Sequence, residues 1–184
     1  MSSCEAVIFQ FPRRAFATLL LLSLTCFGVL GAAAQAPTPP LEGRINDRAG
    51  VLSAHDRDLL ERRLARYEQE TSHQFVILTV VRLDGADINA FSLQIARDWK
   101  LGHKGLDNGV LVMISREDKQ IRIQLGRGFE RYISNEMTRE IIKLNMLPAF
   151  SKGNFSRGLN DGLDRLMEEG RKFILIGNSP QPTL

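Results

Sequence analysis

The sequence predicts an α/β fold, a single sandwich of helices around a small mixed β-sheet. Three observations carry this. First, Phe75–Val81 (FVILTVV) and Val110–Ser115 are β-branched, apolar runs without alternation, as in strands covered on both faces. Second, Ile88, Phe91, Ile95 and Trp99 recur at helical spacing between them. A strand, a helix and a strand give a parallel pair joined by a right-handed crossover. Third, Arg116-Glu117-Asp118-Lys119 turns the chain into a segment where Ile121, Ile123 and Leu125 alternate with Arg122 and Gln124. That pattern marks a half-exposed antiparallel neighbour.

The remaining elements follow in order. Gly43–Asp47 reads as a short extended segment, and Asp47–Gly50 as a turn that tucks Val51 and Leu52 inward. Ser53 is an N-cap, with Asp56 three residues on completing a pair like a capping box. The helix it opens carries Leu60, Leu64 and Tyr67 on one face. Its acids (Asp56, Asp58, Glu61) precede its arginines (Arg62, Arg63, Arg66), which suits the helix dipole and reads as a solvated face. Asp87 caps the second helix, which ends on Trp99 as a core anchor. A third helix is expected over Ser134–Leu147, with Met137, Ile141, Leu144 and Met146 inward and Pro148 as its stop. A fourth runs from about Phe155 to Phe173 and carries Leu159, Leu163 and Leu166.

The chain has 184 residues, and its first 36 have the layout of a secretory signal. Arg13 and Arg14 precede a run from Ala15 to Ala34, followed by the Pro-rich Pro37–Pro40. Cleavage after Ala34 or Ala36 fits equally; an uncleaved anchor is the rival, weakened by the glycines and alanines of the run. Ser23-Leu24-Thr25 before Cys26 lacks the small residue that a lipid-anchored signal needs. Residues 37–42 then form a linker, 43–176 the domain and 177–184 a short tail. Both cysteines, Cys4 and Cys26, fall in the signal, so the exported part has no disulfide, no Cys nucleophile and no Cys–metal site. Removing Arg13, Arg14 and Glu5 lowers the net charge from +3 to +2. A chain so nearly balanced exerts no long-range pull on nucleic acid. The expected location is the periplasm or the outside of the cell, with no transmembrane helix in the mature chain.

Several catalytic signatures are missing: GxSxG, HExxH, GxxxxGK[ST] and CxxC do not occur. His55, His73 and His103 are scattered, none at metal-ligand spacing from another. No catalytic residue is therefore nominated. Chemistry concentrates instead in Trp99–Glu130. Gly102, Gly105 and Gly109 surround Asp107 and Asn108, while Gly126 and Gly128 precede Glu130. The hairpin between them brings both loops to one end, where oxygens would suit a hard cation such as Ca²⁺. The plainer reading is two tight turns. Gly126-Arg127-Gly128 also offers a weak phosphate cradle, with Arg127 and Lys104 as its cations.

Four motifs then occur in order: Asn46–Ser53 (NDRAGVLS); Trp99–Gly102 with Gly105–Leu111 (GLDNGVL); Arg122–Glu130 (RIQLGRGFE); and Pro148-Ala149-Phe150 with Gly158-Leu159. Together they resemble the TPM domain, a family of exported bacterial and thylakoid-lumen proteins, and the resemblance spans roughly Leu41–Phe173. It implies a single three-layer α/β/α sandwich around a small mixed β-sheet. Some members are described as acid phosphatases, some bind Ca²⁺, and others are accessory domains of membrane complexes. The family's acidic positions carry over as Asp47, Asp107 and Glu130, with Asn108 beside them. Where the family has an aspartate before the third helix, Ser134-Asn135-Glu136 stands here. Asn135 keeps an oxygen and loses a charge, which weakens a Ca²⁺ site. The metal ligands expected from the resemblance are thus Asp47, Asp107, Asn108, Glu130 and Asn135, with Ca²⁺ as the cofactor.

Two functions compete. One is a binding or accessory module for a protein partner in the periplasm or at the inner membrane. The other is metal-assisted phosphomonoester hydrolysis, which needs a nucleophile or activated water that the loops do not visibly supply. The balance of residues favours binding.

Overall fold

The structure is a computed structural model and describes residues 37–130 and 132–177, with the backbone alone for 173–177. The expected signal segment, both cysteines and the tail beyond Gly177 lie outside the described residues.

Four strands form the sheet in the order β1 (Ile45–Asp47), β2 (Gln74–Val80), β3 (Gly109–Ser115) and β4 (Gln120–Leu125). β1 and β3 both run parallel to β2, and β4 returns antiparallel to β3. β3 is buried along its whole length, which is why its sequence shows no alternation. Even so, the pleat sends alternate side chains to opposite faces. Phe75, Ile77, Val112 and Ile123 enter one core with Leu60, Leu64 and Tyr67 of α1 (Ala54–Thr71) and Leu159, Leu163 and Leu166 of α6 (Phe155–Gly177). Val76, Leu78, Leu111 and Met113 enter the other with Ile88, Phe91 and Ile95 of α2 (Ile88–Asp98). Helices on both faces of one mixed sheet make the three layers anticipated from the sequence.

The caps form as expected. Ser53 Oγ accepts from Asp56 N at 3.0 Å, and Asp87 Oδ1 accepts from Ala90 N at 2.8 Å. Trp99 packs half-buried against the α2 core, and its Nε1 donates to Pro39 O at 2.7 Å, holding the Pro-rich linker down. One arginine of α1 does more than meet solvent. Arg63 reaches Asn160 and Asp164 on α6, tying the two helices together.

The third helix departs from the expectation. After the single turn α3 (Arg127–Glu130), α4 (Asn135–Ile141) widens into a π-helical turn at Ile142–Met146 and continues as α5 (Leu147–Phe150). Leu147 N donates to Ile142 O, five residues back. The extra residue rotates the face, so Met146 is buried while Leu144, expected inward, is 63% exposed. Met137 is only half-buried. Pro148 does not stop the helix; it sits in the first turn of α5, where its missing N–H is tolerated.

His73, 2% exposed, lies just before β2 and packs edge-on against Phe129 of α3. Its Nδ1 lies 3.1 Å from Tyr67 Oη, which also donates to Met167 O at 3.3 Å. Burial pushes the imidazole pKa down to about 4 and the Tyr67 phenol up to about 12. The folded chain therefore holds His73 neutral, whereas the unfolded chain binds a proton near pH 6.5. Its contribution is complete above that pH and is lost as pH falls from about 6.5 through about 4. Urea midpoints across that window should show roughly 2 kcal/mol of lost stability after allowance for solvent screening. His73→Gln should remove that part of the pH dependence, and an unchanged pH profile in the variant would disprove the assignment.

Candidate functional site: a charged groove beside two interlocked glycine loops

The sheet register decides which expected site residues meet. Gly109, where β3 begins, pairs with Gln74 at the start of β2, whereas Asp47 pairs with Thr79 near its end. Five residues of strand, about 16 Å, separate the two levels. Asp107, Asn108 and Glu130 thus share one end of the sheet, and Asp47 stands at the other. Its surroundings explain its presence there. Asp47 Oδ1 accepts from Val51 N at 3.1 Å and Thr79 Oγ1 at 2.5 Å, and Oδ2 accepts from Leu52 N at 3.0 Å. The carboxylate ties the turn before α1 to β2.

At the opposite end, Leu101–Gly109 and Gly126–Glu130 interlock. Gly126 N donates to Gly109 O at 2.8 Å and Gly128 N to Asp107 O at 3.1 Å. A β-carbon on Gly126 would lie 2.1 Å from Asp107 O, and one on Gly128 would lie 2.1 Å from Leu106 O. These glycines are needed for close backbone approach. Asn108, 4% exposed, is the pin of the first loop. Its Oδ1 accepts from His103 N at 2.9 Å and its Nδ2 donates to Ser72 O at 2.6 Å, with the backbone of Asp107 left-handed at φ 48°.

Asp107 and Glu130 remain exposed, and both line a groove of about 710 Å³ between α2 and β4. Four cations line it with them: Arg97, Lys100, Arg122 and Arg127. Among the described residues none of these six side chains is in an ion pair. Arg122 Nε is buried without a hydrogen-bond partner, while its Nη2 makes a long, 3.5 Å contact with Asn135 Oδ1 at the start of α4. Lys104 is exposed on the loop and does not line the groove.

Ca²⁺ takes six to eight oxygens. The five residues expected as ligands do not form one cage. Asp47 is at the far end, the side-chain oxygen of Asn108 is committed to the loop, and Asn135 faces Arg122. Asp107 and Glu130 are the pair left to offer oxygens, and among the described residues no three His, Cys, Asp or Glu side chains gather to hold a metal.

Arg97, Lys100 and Arg122 were not among the expected site residues. Ala90, Leu93 and Arg97 recur at helical spacing beside the core stripe of α2, and Arg122 and Gln124 share the polar face of β4. Those two stripes were the available signal, but only the tertiary fold sets them face to face.

The fold and the groove define an α/β/α domain with a charged cleft at one end of a mixed sheet. The TPM_phosphatase family model, described as the TPM domain, matches residues 45–169, and the chain belongs to this family. Among solved structures, it is similar to the N-terminal domain of a protein from P. gingivalis, at 27% identity and a TM-score of 0.63, covering 68% of this chain and 80% of that one. The BA42 protein of the psychrophilic bacterium Bizionia argentinensis shares the fold at 23% identity and a TM-score of 0.57, over 66% of this chain and 83% of that one. So does the N-terminal domain of the cg2496 protein of Corynebacterium glutamicum, at 15% identity and a TM-score of 0.53, over 80% and 90%. No curated protein sequence matches this chain. Among the described residues no helix is long and apolar enough to cross a membrane.

Proposed function

We propose that the chain is an exported TPM-domain binding module that docks a protein partner, in the periplasm or at the inner membrane, through the groove beside its glycine loops. The observation that carries this reading is a groove lined by six charged side chains without internal ion pairs among the described residues, and by no serine, histidine or cysteine. Such a surface suits recognition and holds no hydroxyl, thiol or imidazole nucleophile. The signal-like layout of residues 1–36 supports export. A Ca²⁺ ion in this reading rests on Asp107 and Glu130, with water or the partner's oxygens completing its shell. The four neighbouring cations make its binding weak.

Phosphomonoester hydrolysis is the second reading, favoured by the gathering of Arg97, Lys100, Arg122 and Arg127, which suits a phosphate. One set of measurements separates the two. Hydrolysis of p-nitrophenyl phosphate is expected to be negligible with calcium, magnesium or chelator. Robust, metal-dependent turnover that Asp107→Ala and Arg127→Ala abolish would replace the binding reading with the enzyme. In parallel, calcium at 100 times its Kd should stabilise the native protein by about 2.7 kcal/mol. Asp107→Ala and Glu130→Ala should each remove that gain, while Asp47→Ala keeps it. A melting curve indifferent to calcium removes the ion from the proposal.

A further inference from the structure

We propose that the groove between α2 and β4 takes an acidic peptide segment interspersed with apolar residues, lying along α2. This rests on the binding-module reading and adds the chemistry of the partner.

The argument begins with how α2 covers the sheet. Its core stripe, Ile88, Phe91 and Ile95, packs on residues of β2 and β3. β4 presents Arg122 and Gln124 on that side, and they line the groove rather than a core. The neighbouring stripe of α2 supplies Ala90, Leu93 and Ala96, with Leu93 left 37% exposed. The cleft therefore has an apolar strip along the helix and a cationic rim of Arg97, Lys100, Arg122 and Arg127.

Charge decides the occupant. Outside the groove several arginines are matched internally, Arg62 by Asp58, Arg63 by Asp164, and Arg165 by Glu168 and Glu169, whereas Arg57 and Arg66 on α1 stand apart as single charges among the described residues. The four groove cations form no ion pair among the described residues, although Arg122 is near enough to Asp87 to add to the Ala90 amide in holding that carboxyl below its usual range. They gather in one cleft of a chain that is nearly balanced as a whole. Arg122 Nε is buried without a partner and closed to the groove, so a carboxylate in the cleft meets this guanidinium through its Nη groups. Asp107 and Glu130 stand at the loop end and repel like charge, so the segment's carboxylates fall toward Arg97 and Arg122.

Size agrees with a short segment. From Asn89 to Asp98 the helix rises about 14 Å, the length of about four extended residues. The volume of about 710 Å³ lies within the range of specific ligand clefts.

The test uses the purified protein and a fluorescein-labelled decapeptide of mixed glutamate and leucine, read by anisotropy at low salt. Binding is expected, weakening as salt rises. Arg97→Glu, at an exposed position, and Arg122→Gln should each weaken it at least about tenfold. Arg62→Glu, on α1 across the sheet, should leave it unchanged. A glutamine–leucine peptide of equal length should bind about tenfold more weakly or worse. Absence of binding, equal binding by Arg97→Glu and the native protein, or preference for a lysine–leucine peptide would each overturn the proposal. Displacement by equimolar inorganic phosphate would overturn it too, in favour of a small-anion site. Loss of peptide binding without phosphomonoester hydrolysis refutes only the acidic segment; hydrolysis refutes the module reading beneath it.

Discussion

Gly126→Ala is expected to destabilise the domain by about 4 kcal/mol or to prevent its folding, the largest effect of any single methyl group considered for the loops. The added carbon would sit 2.1 Å from Asp107 O and 3.1 Å from Gly109 O. Neither oxygen can retreat easily. Asp107 O already accepts from Gly128 N, and Gly109 O accepts from Gly126 N itself. Moving either would part the two loops and break the start of the β3–β4 pairing. Gly105→Ala is the control. That glycine has φ +85° and open space around it, so the substitution costs only the left-handed backbone penalty, about 1 kcal/mol. Urea denaturation of the three proteins measures the difference. Equal midpoints for the two variants would show that backbone conformation, and not interlocking, accounts for the glycines.

Asp47→Ala should cost about 3 kcal/mol in the presence of chelator, because three donors lose a charged acceptor together. The amides of Val51 and Leu52 and the hydroxyl of Thr79 all converge on this carboxylate. Thr79 Oγ1 in turn accepts from Ala49 N at 3.1 Å, so the loss spreads through the whole turn. Thr79→Val should reproduce part of the cost, and the double variant should lose less than the two single losses combined. A calcium ligand would behave in the opposite way, leaving the metal-free protein as stable as before. The chelator-treated melting temperature therefore separates the two roles. An unchanged value in Asp47→Ala would return this residue to the list of ligands.

The α3–α4 region shows where local patterning stops being sufficient. Ser134 does cap α4, its Oγ accepting from Met137 N at 3.2 Å. The apolar period is then broken by one residue at Ile142–Met146. The sequence reading places Leu144 and Met146 inward together; the π turn keeps Met146 buried, turns Leu144 out and keeps the chain helical through Pro148. A pattern of side chains cannot reveal such an insertion, because both registers contain a leucine or methionine at nearly every inward position.

The sequence by itself determined the elements and their order, since each signal is local. β-branched runs define β2 and β3, helical spacing defines α2, alternation defines β4, and Ser53, Asp87 and Ser134 cap their helices. It also determined that Asp107 and Glu130 lie at one end of a hairpin, because two antiparallel strands of matched length leave little choice. Only the tertiary structure decided the rest. Asp47 looked like a partner of those carboxylates because all three carry the same charge in glycine-rich turns. Parallel pairing of β1 with β2 instead carries it to the far end of the sheet, a consequence of strand direction that no residue type encodes. Asn108 looked like a ligand and is a pin, because its amide is turned inward to loops that meet only in the fold. The cationic groove likewise belongs to neither α2 nor β4 alone. It arises because one helix lies across β3 and β4, so that polar side chains from distant segments of helix and strand share one cleft.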